Sequence, residues 1–93
     1  MTTHKHEWTK AEVLEMMRYG KLILILGCKP YVGGGYLIRY RLMRRRGNFF
    51  QSVGPVKTMK QNFLNAPARG DMMFCDHGTR EWTRLRFPPE AIT

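Results

Sequence analysis

A stretch in the middle of the chain alternates in side-chain type with a period of two. Because successive side chains of a β-strand point to opposite faces, YLIRYRLMRRR at residues 36–46 predicts a strand. Its two faces carry, respectively, Tyr36, Ile38, Tyr40 and Leu42, and Leu37, Arg39, Arg41 and Met43. Arg46–Gly47–Asn48 predicts a tight turn into FFQSV, and the segment therefore forms a β-hairpin. The apolar run 22–26 predicts a further strand, one that is buried.

Helical patterns flank this hairpin. Thr9 and Glu12 have the spacing of a capping box, Trp8 can pack against Val13, and Gly20 supplies a stop, which together predict a helix over residues 9–20. In GPVKTMKQNFLN, residues 54–65, proline occupies the first helical position. Apolar residues follow it at helical spacing, and this segment is predicted to be a second helix: Val56, Met59, Phe63 and Leu64.

The C-terminal part predicts a second hairpin, turning at His77–Gly78. The order is then α-β-β-β-α-β-β, an α+β fold with two helices and an antiparallel sheet of about four to five strands. Ninety-three residues are expected to form a single small domain spanning 1–93, with a loose N-terminus at 1–8 and a tail at 88–93.

The charge is distributed unevenly. The formal net charge is +9, and between Met16 and Gly70 there are eleven Lys and Arg residues but no Asp or Glu. A surface that serves only to keep a protein soluble normally carries both positively and negatively charged residues. The excess therefore indicates a polyanionic partner, either nucleic acid or a ribonucleoprotein complex.

The remaining composition restricts the cellular setting. The longest apolar run, residues 22–26, is far shorter than the roughly 20 residues that a membrane span needs, and no secretion signal is apparent. Two cysteines do not make a disulfide framework, so free thiols in a reducing cytoplasm are expected. We therefore expect a cytoplasmic protein without a membrane partner, as a monomer or as a homodimer joined through a sheet edge.

The candidate binding residues are mostly arginines. If both hairpins join one sheet, Arg39, Arg41, Arg84 and Arg86 are expected to share a face, with Arg44, Arg45 and Arg46 extending from the hairpin tip. Lys57 and Lys60 are expected near the positive end of the second helix. Trp82 and Tyr31 can supply stacking surfaces for unpaired bases. The alternative is a solvated sheet face whose charges prevent edge-to-edge aggregation.

The sequence offers little support for a phosphate-binding loop, a metal site or a catalytic site. Gly33–Gly35 leads into a strand without the lysine of a Walker motif, which favours a hairpin loop. Cys28, Cys75, His77 and the pair His4 and His6 lack the spacing of a zinc site, so neither a metal nor another cofactor is expected. His77 as the general base of a small ribonuclease remains an alternative, but it has no evident companion base. We therefore expect a binding protein and not an enzyme.

Two resemblances accompany these patterns. The α-β-β-β-α order of residues 9–65 resembles that of double-stranded-RNA-binding and related toxin folds. In general character the small, basic chain resembles accessory proteins of phages and mobile elements, among them anti-CRISPR proteins. That resemblance implies an inhibitor that binds a host protein–RNA complex and blocks its crRNA or target-DNA path. Exposed aromatic and methionine side chains would then carry the contact with the protein target.

Overall fold

A computed structural model describes residues 7–47 and 49–86 and shows one helix against one five-stranded sheet. The elements are α1 (Lys10–Met17), β1 (Gly20–Pro30), β2 (Tyr36–Arg46), β3 (Phe49–Gln61), β4 (Met72–Asp76) and β5 (Trp82–Leu85). All pairings are antiparallel, and the strand order is β3-β2-β1-β4-β5. The predicted antiparallel sheet and both hairpins are confirmed.

The predicted second helix is wrong. Residues 49–61 form the long strand β3, which pairs with β2 along its length, and residues 62–71 form an irregular connection to β4. The helical spacing of four apolar residues was outweighed by pairing with β2, which buries Ile38 opposite the half-buried Met59. The Gly54–Pro55 pair marks a bulge, in which Gly54 has φ +77°. Without the second helix, the α-β-β-β-α order of double-stranded-RNA-binding folds does not hold.

The start of the chain is held against the sheet where the structure describes it. Trp8 N–H donates to the Arg86 carbonyl at 2.9 Å, and Glu7 forms a parallel bridge with Arg86. The predicted loose N-terminus therefore does not include these two residues, and its first six residues and the predicted tail lie outside the described residues.

The first helix has the predicted start and a different end. Thr9 Oγ1 accepts from the Glu12 N–H at 3.2 Å, and the Thr9 N–H donates to Glu12 Oε1 at 3.1 Å, which is the expected capping box. The helix ends at Met17 with Arg18 as its C-cap. Gly20 instead begins β1, where a Cβ atom would collide with the Cys75 carbonyl oxygen and with the Phe74 ring.

Two bulges at the same level bend the sheet. The β1–β2 register shifts between Ile25 and Gly27, and the β2–β3 register shifts between Tyr40 and Leu42. A straight strand would separate the two ends of β1 by about 30 Å. Lys21 lies near the start of β1, and Gln61 of β3 lies level with the end of β1. The two residues nevertheless line the same cleft. The β1–β2–β3 meander therefore coils over one face of the sheet.

The sheet has a core on each side. On the helix face, α1 covers a cluster of Val13, Leu22, Met43, Phe50, Met72, Phe74 and Leu85. On the opposite, inner face, the coiled meander and the 62–71 connection enclose Ile23, Ile25, Ile38 and Met73, with Tyr36, Tyr40, Leu42, Met59, Phe63 and Trp82 packed around them. Because α1 has only eight residues and contacts β1 and β4, no helix in the described ranges covers the helix face of β2 and β3 beyond the bulges.

Candidate nucleic-acid interface

Four basic side chains from three strands lie on the uncovered part of the helix face. Lys29 of β1 and Lys60 of β3 pair with Leu37 from either side, and Arg39 and Arg41 follow along β2. Their neighbours Cys28, Ile38, Tyr40 and Met59 belong to the inner core, so alternation turns the four basic residues outward. We call this set, Lys29, Arg39, Arg41 and Lys60, the basic face.

The dimensions of the basic face follow from sheet geometry. Lys29 and Lys60 are two strands apart, about 10 Å, and Arg39 and Arg41 are two residues apart along one strand, about 7 Å. Two like charges in water repel by about 0.6 kcal/mol at 7 Å and by about 0.4 kcal/mol at 10 Å. The backbone pairing holds these charges together, and an anion placed among them would relieve the repulsion.

The charges of the basic face have no acidic partner among the described residues. Lys29, Arg39 and Lys60 are exposed and Arg41 is half-buried. Within residues 7–47 and 49–86, the ion pairs are Arg18–Glu15 at 3.6 Å and Arg84–Asp71 at 3.1 Å, and neither involves the basic face. The strands that build it come from the acid-free part of the sequence. No described acidic side chain therefore competes with an external polyanion for these charges.

An aromatic residue borders the basic face. The β1–β2 loop is closed by hydrogen bonds from Tyr31 N–H to the Gly35 carbonyl (3.0 Å) and from Gly34 N–H to the Tyr31 carbonyl (2.9 Å). The Lys60 ammonium lies 4.5 Å from the centroid of the Tyr31 ring, a cation–π contact, and the Tyr31 side chain remains 44% exposed. The predicted hairpin loop at Gly33–Gly35 is confirmed, and it holds Tyr31 beside the cations.

The predicted sharing of one face by the arginines of both hairpins is wrong. Arg39 and Arg41 lie on the helix face, whereas Arg84 pairs with Met73 on the inner face, and Arg86 follows it by the same alternation. Two strands, β1 and β4, also separate β2 from β5. This placement depends on which residues pair between neighbouring strands, which alternation within one strand does not reveal.

Arg84 has a structural role. Its Nε lies 3.1 Å from an Asp71 carboxylate oxygen, and its guanidinium also donates to the Ala66 carbonyl at 3.3 Å. Both partners belong to the connection between β3 and β4. Arg84 therefore fastens that connection to the sheet.

The other predicted binding residues are dispersed. Arg44, Arg45 and Arg46 are exposed at the end of the β2–β3 hairpin, but they pair with Gln51, Phe50 and Phe49 and so alternate between the two faces. Lys57 and Lys60 lie on opposite faces of β3, not at a helix terminus. Trp82 is half-buried against the inner core. The structure therefore brings together Arg39, Arg41, Lys60 and Tyr31 from the predicted set.

Sequence reasoning missed Lys29. The apolar run 22–26 predicts a strand that ends before Lys29, but β1 continues to Pro30 after a bulge at Leu26–Gly27. A glycine within a strand pattern often marks a bulge, and allowing for one would have extended the alternation to Lys29.

Among the described residues, those considered for metal binding or catalysis do not assemble into a site, and His4 and His6 lie outside the described residues. No group of three or more His, Cys, Asp or Glu side chains in the described ranges is placed to hold a metal ion. Asp76 Oδ1 accepts from the Gly78 and Thr79 N–H groups at 2.7 and 3.0 Å and so stabilises the turn around the exposed His77. Both cysteines are free, and burial raises the pKa of the Cys28 and Cys75 thiols above the ordinary value.

Comparison with known protein families, with curated proteins and with solved structures found no match to this chain. No helix in the described part of the chain has the length and apolar character needed to cross a membrane.

Proposed function

We propose that this protein binds the backbone of a nucleic acid through the basic face and acts by binding, without catalysis. The observation that carries the proposal is the convergence of Lys29, Arg39, Arg41 and Lys60 on one face, where no acidic residue in the described part of the chain pairs with them. Phosphate is the anion that such an array fits, because arginine donates two parallel hydrogen bonds to phosphate and lysine adds point charge.

The expected binding is largely independent of sequence. Contacts to phosphate release condensed counterions, which gives affinity and a steep dependence on salt but little discrimination between bases. Tyr31 adds a stacking surface at one end of the basic face, which favours a ligand with unpaired bases. The free thiols suit a reducing compartment, and we place this activity in the cytoplasm.

Fluorescence anisotropy with short DNA and RNA ligands, single- and double-stranded, at several salt concentrations tests the proposal. The combined variant Lys29→Gln, Arg39→Gln and Lys60→Gln removes three charges from the basic face. It should weaken binding to every ligand and reduce the salt slope by about 2 to 3, since each phosphate contact contributes roughly 0.7–0.9.

A matched control removes the same charge elsewhere. Arg44→Gln, Arg45→Gln and Arg46→Gln also eliminate three charges, from the exposed end of the β2–β3 hairpin. The proposal expects a smaller loss of affinity in this control. A larger loss there, with the basic-face variant unaffected, would move the interface to the hairpin arginines.

The affinity of the unmodified protein is a separate criterion. Binding no tighter than roughly 10⁻⁴–10⁻⁶ M at physiological salt is the non-specific range and would contradict a nucleic acid as the primary ligand. The next candidate is then a protein–RNA complex whose nucleic-acid path the protein blocks, tested by capture of a defined ribonucleoprotein with and without its RNA.

A further inference from the structure

A cleft on the inner face combines an aromatic surface with polar groups. The 62–71 connection leaves a cavity of about 510 Å³ beside β5, lined among others by Trp82, Phe63, Asn62 and Asn65. A second cavity of about 400 Å³ includes Lys21 and Cys75. Trp82, Arg80 and Gln61 line both, so the two cavities meet around the Trp82 indole. Volumes of this size are typical of small-molecule sites.

Two cations converge on the cleft. Lys21 pairs with Cys75. Burial raises the pKa of the Cys75 thiol, the charges of Lys21 and Arg80 oppose this effect, and the charge of Asp76 adds to it. The Arg80 guanidinium has no ion pair or hydrogen bond with any side chain or backbone group that the structure describes, in contrast to Arg84. The neighbouring Asp76 carboxylate is engaged by two backbone N–H groups of the turn.

The backbone at Arg80 is an independent observation. Arg80 has φ +61°, the left-handed region, and it is the sole described non-glycine residue with positive φ. This conformation costs most side chains roughly 1–2 kcal/mol, and glycine or asparagine usually occupies it. Strained residues of this kind cluster at binding sites. Glycine would adopt this turn conformation without strain. An arginine at the same position also supplies a charged side chain to the cleft.

We propose that this cleft binds one unpaired nucleotide, with its base against the Trp82 indole and its phosphate between Arg80 and Lys21. Indole rings stack on any base, and the amides of Gln61, Asn62 and Asn65 offer donors and acceptors to the base edge. The site lies on the inner face and is distinct from the basic face, although Gln61 directly follows Lys60 in β3. The nucleotide is either free or part of a single-stranded chain.

Nuclear magnetic resonance of the two tryptophan indole N–H groups tests the site directly. Trp8 packs on the helix face and serves as an internal control for Trp82, with assignment by Trp8→Phe. Titration with AMP or UMP should shift the Trp82 signal and leave Trp8 unchanged, whereas inorganic phosphate and adenosine should shift it less at equal concentration. No saturable shift of Trp82 with either nucleotide would overturn the proposal.

Two variants distinguish a binding role from a structural one. Arg80→Gly suits the turn and should weaken AMP binding at least about tenfold, the effect of losing a charge-assisted hydrogen bond. Trp82→Leu should weaken it about 5- to 150-fold, and Trp82→Phe should retain most of the affinity, since it keeps a stacking ring. Wild-type affinity in Arg80→Gly would contradict the phosphate position.

Longer ligands identify the source of the nucleotide. If it belongs to a nucleic-acid chain, a single-stranded oligonucleotide shifts Trp82 at lower concentration than AMP does, and a blunt duplex does not shift it. If the source is free nucleotide, AMP is the tighter ligand. The basic-face variant Lys29→Gln, Arg39→Gln and Lys60→Gln should bind AMP normally, which separates failure of this proposal from failure of the basic face.

Discussion

Arginines of this protein differ in role according to their immediate surroundings. Arg84 is bound to Asp71 and to the Ala66 carbonyl, and it stabilises the connection across the inner face. Arg39 is exposed on the basic face without a described acidic partner. Arg80 combines a left-handed backbone with a guanidinium that has no hydrogen bond or ion pair to a described residue. Counting arginines therefore predicts a polyanionic partner, but local geometry determines which of them are available to it.

Replacing Arg80 by glycine should stabilise the fold. Glycine adopts positive φ at no steric cost, and part of this gain is offset because glycine makes the unfolded chain more flexible. We expect the free energy of unfolding to rise by about 0.5–1 kcal/mol, measured by urea denaturation. Arg80→Ala, which keeps the strain while removing the side chain, is the control, and equal stability of the two variants would contradict the strain argument.

The strand β3 is the element whose prediction failed, and its edge is exposed. It spans thirteen residues and pairs on one side with β2, at the end of the strand order. A long edge invites pairing with another chain, which proteins oppose with proline, bulges and lysine. β3 has all three, in the Gly54–Pro55 bulge, Lys57 and Lys60. The proline that suggested the first residue of a helix therefore protects the edge of a strand.

Removing these features should cause association. We expect the protein to be monomeric at micromolar concentration, and the double variant Pro55→Val, Lys57→Val to form dimers or larger assemblies because its edge becomes regular and apolar. Light scattering coupled to size-exclusion chromatography measures the mass. Pro55→Ser with Lys57→Glu, which keeps a charge on the edge, should remain monomeric. A dimeric unmodified protein would show that these features do not block the edge.

At the scale of the whole molecule, the fold gathers the acid-free part of the chain into one region. The meander β1–β3, residues 20–61, contains no Asp or Glu, and it forms the basic face on its outer side and most of the inner core on the other. The acids of the described ranges lie in residues 7–15 and 71–81, around α1 and the second hairpin. The asymmetry of charge along the sequence thus becomes an asymmetry in space.

Stability should decrease at alkaline pH. Burial raises the pKa of the Cys28 and Cys75 thiols, so the folded state retains these protons at pH values where the unfolded chain has lost them. The contribution to the free energy of unfolding is complete below the ordinary thiol value of about 8.5 and is lost as the pH rises through the higher folded-state values.

Urea denaturation between pH 7.5 and pH 9.5 measures this effect. The unmodified protein should lose stability over that interval, and a variant carrying Cys28→Ala and Cys75→Ala should show a flatter profile, whatever its absolute stability. Identical profiles for the two proteins would assign the loss to other groups.

Local patterns determined much of the structure from the sequence alone. The period of two in residues 36–46 predicted β2 and the faces of its side chains. Arg46–Gly47 predicted the hairpin turn, and Thr9 with Glu12 predicted the start of α1. Each of these features depends on neighbours within a few residues along the chain. The acid-free span likewise indicated a polyanionic partner before any fold was known.

The features that depend on residues far apart in the sequence were decided by the tertiary structure alone. Pairing with β2 made residues 54–61 a strand, and the pairing of Arg84 with Met73 placed Arg84 on the face opposite Arg39. Paired bulges coiled the meander, extended β1 to Lys29, and brought Gln61 beside Lys21 and Trp82. Register and strand order arise from packing between segments that are far apart along the chain, so the basic face and the Trp82 cleft became visible only in the folded molecule.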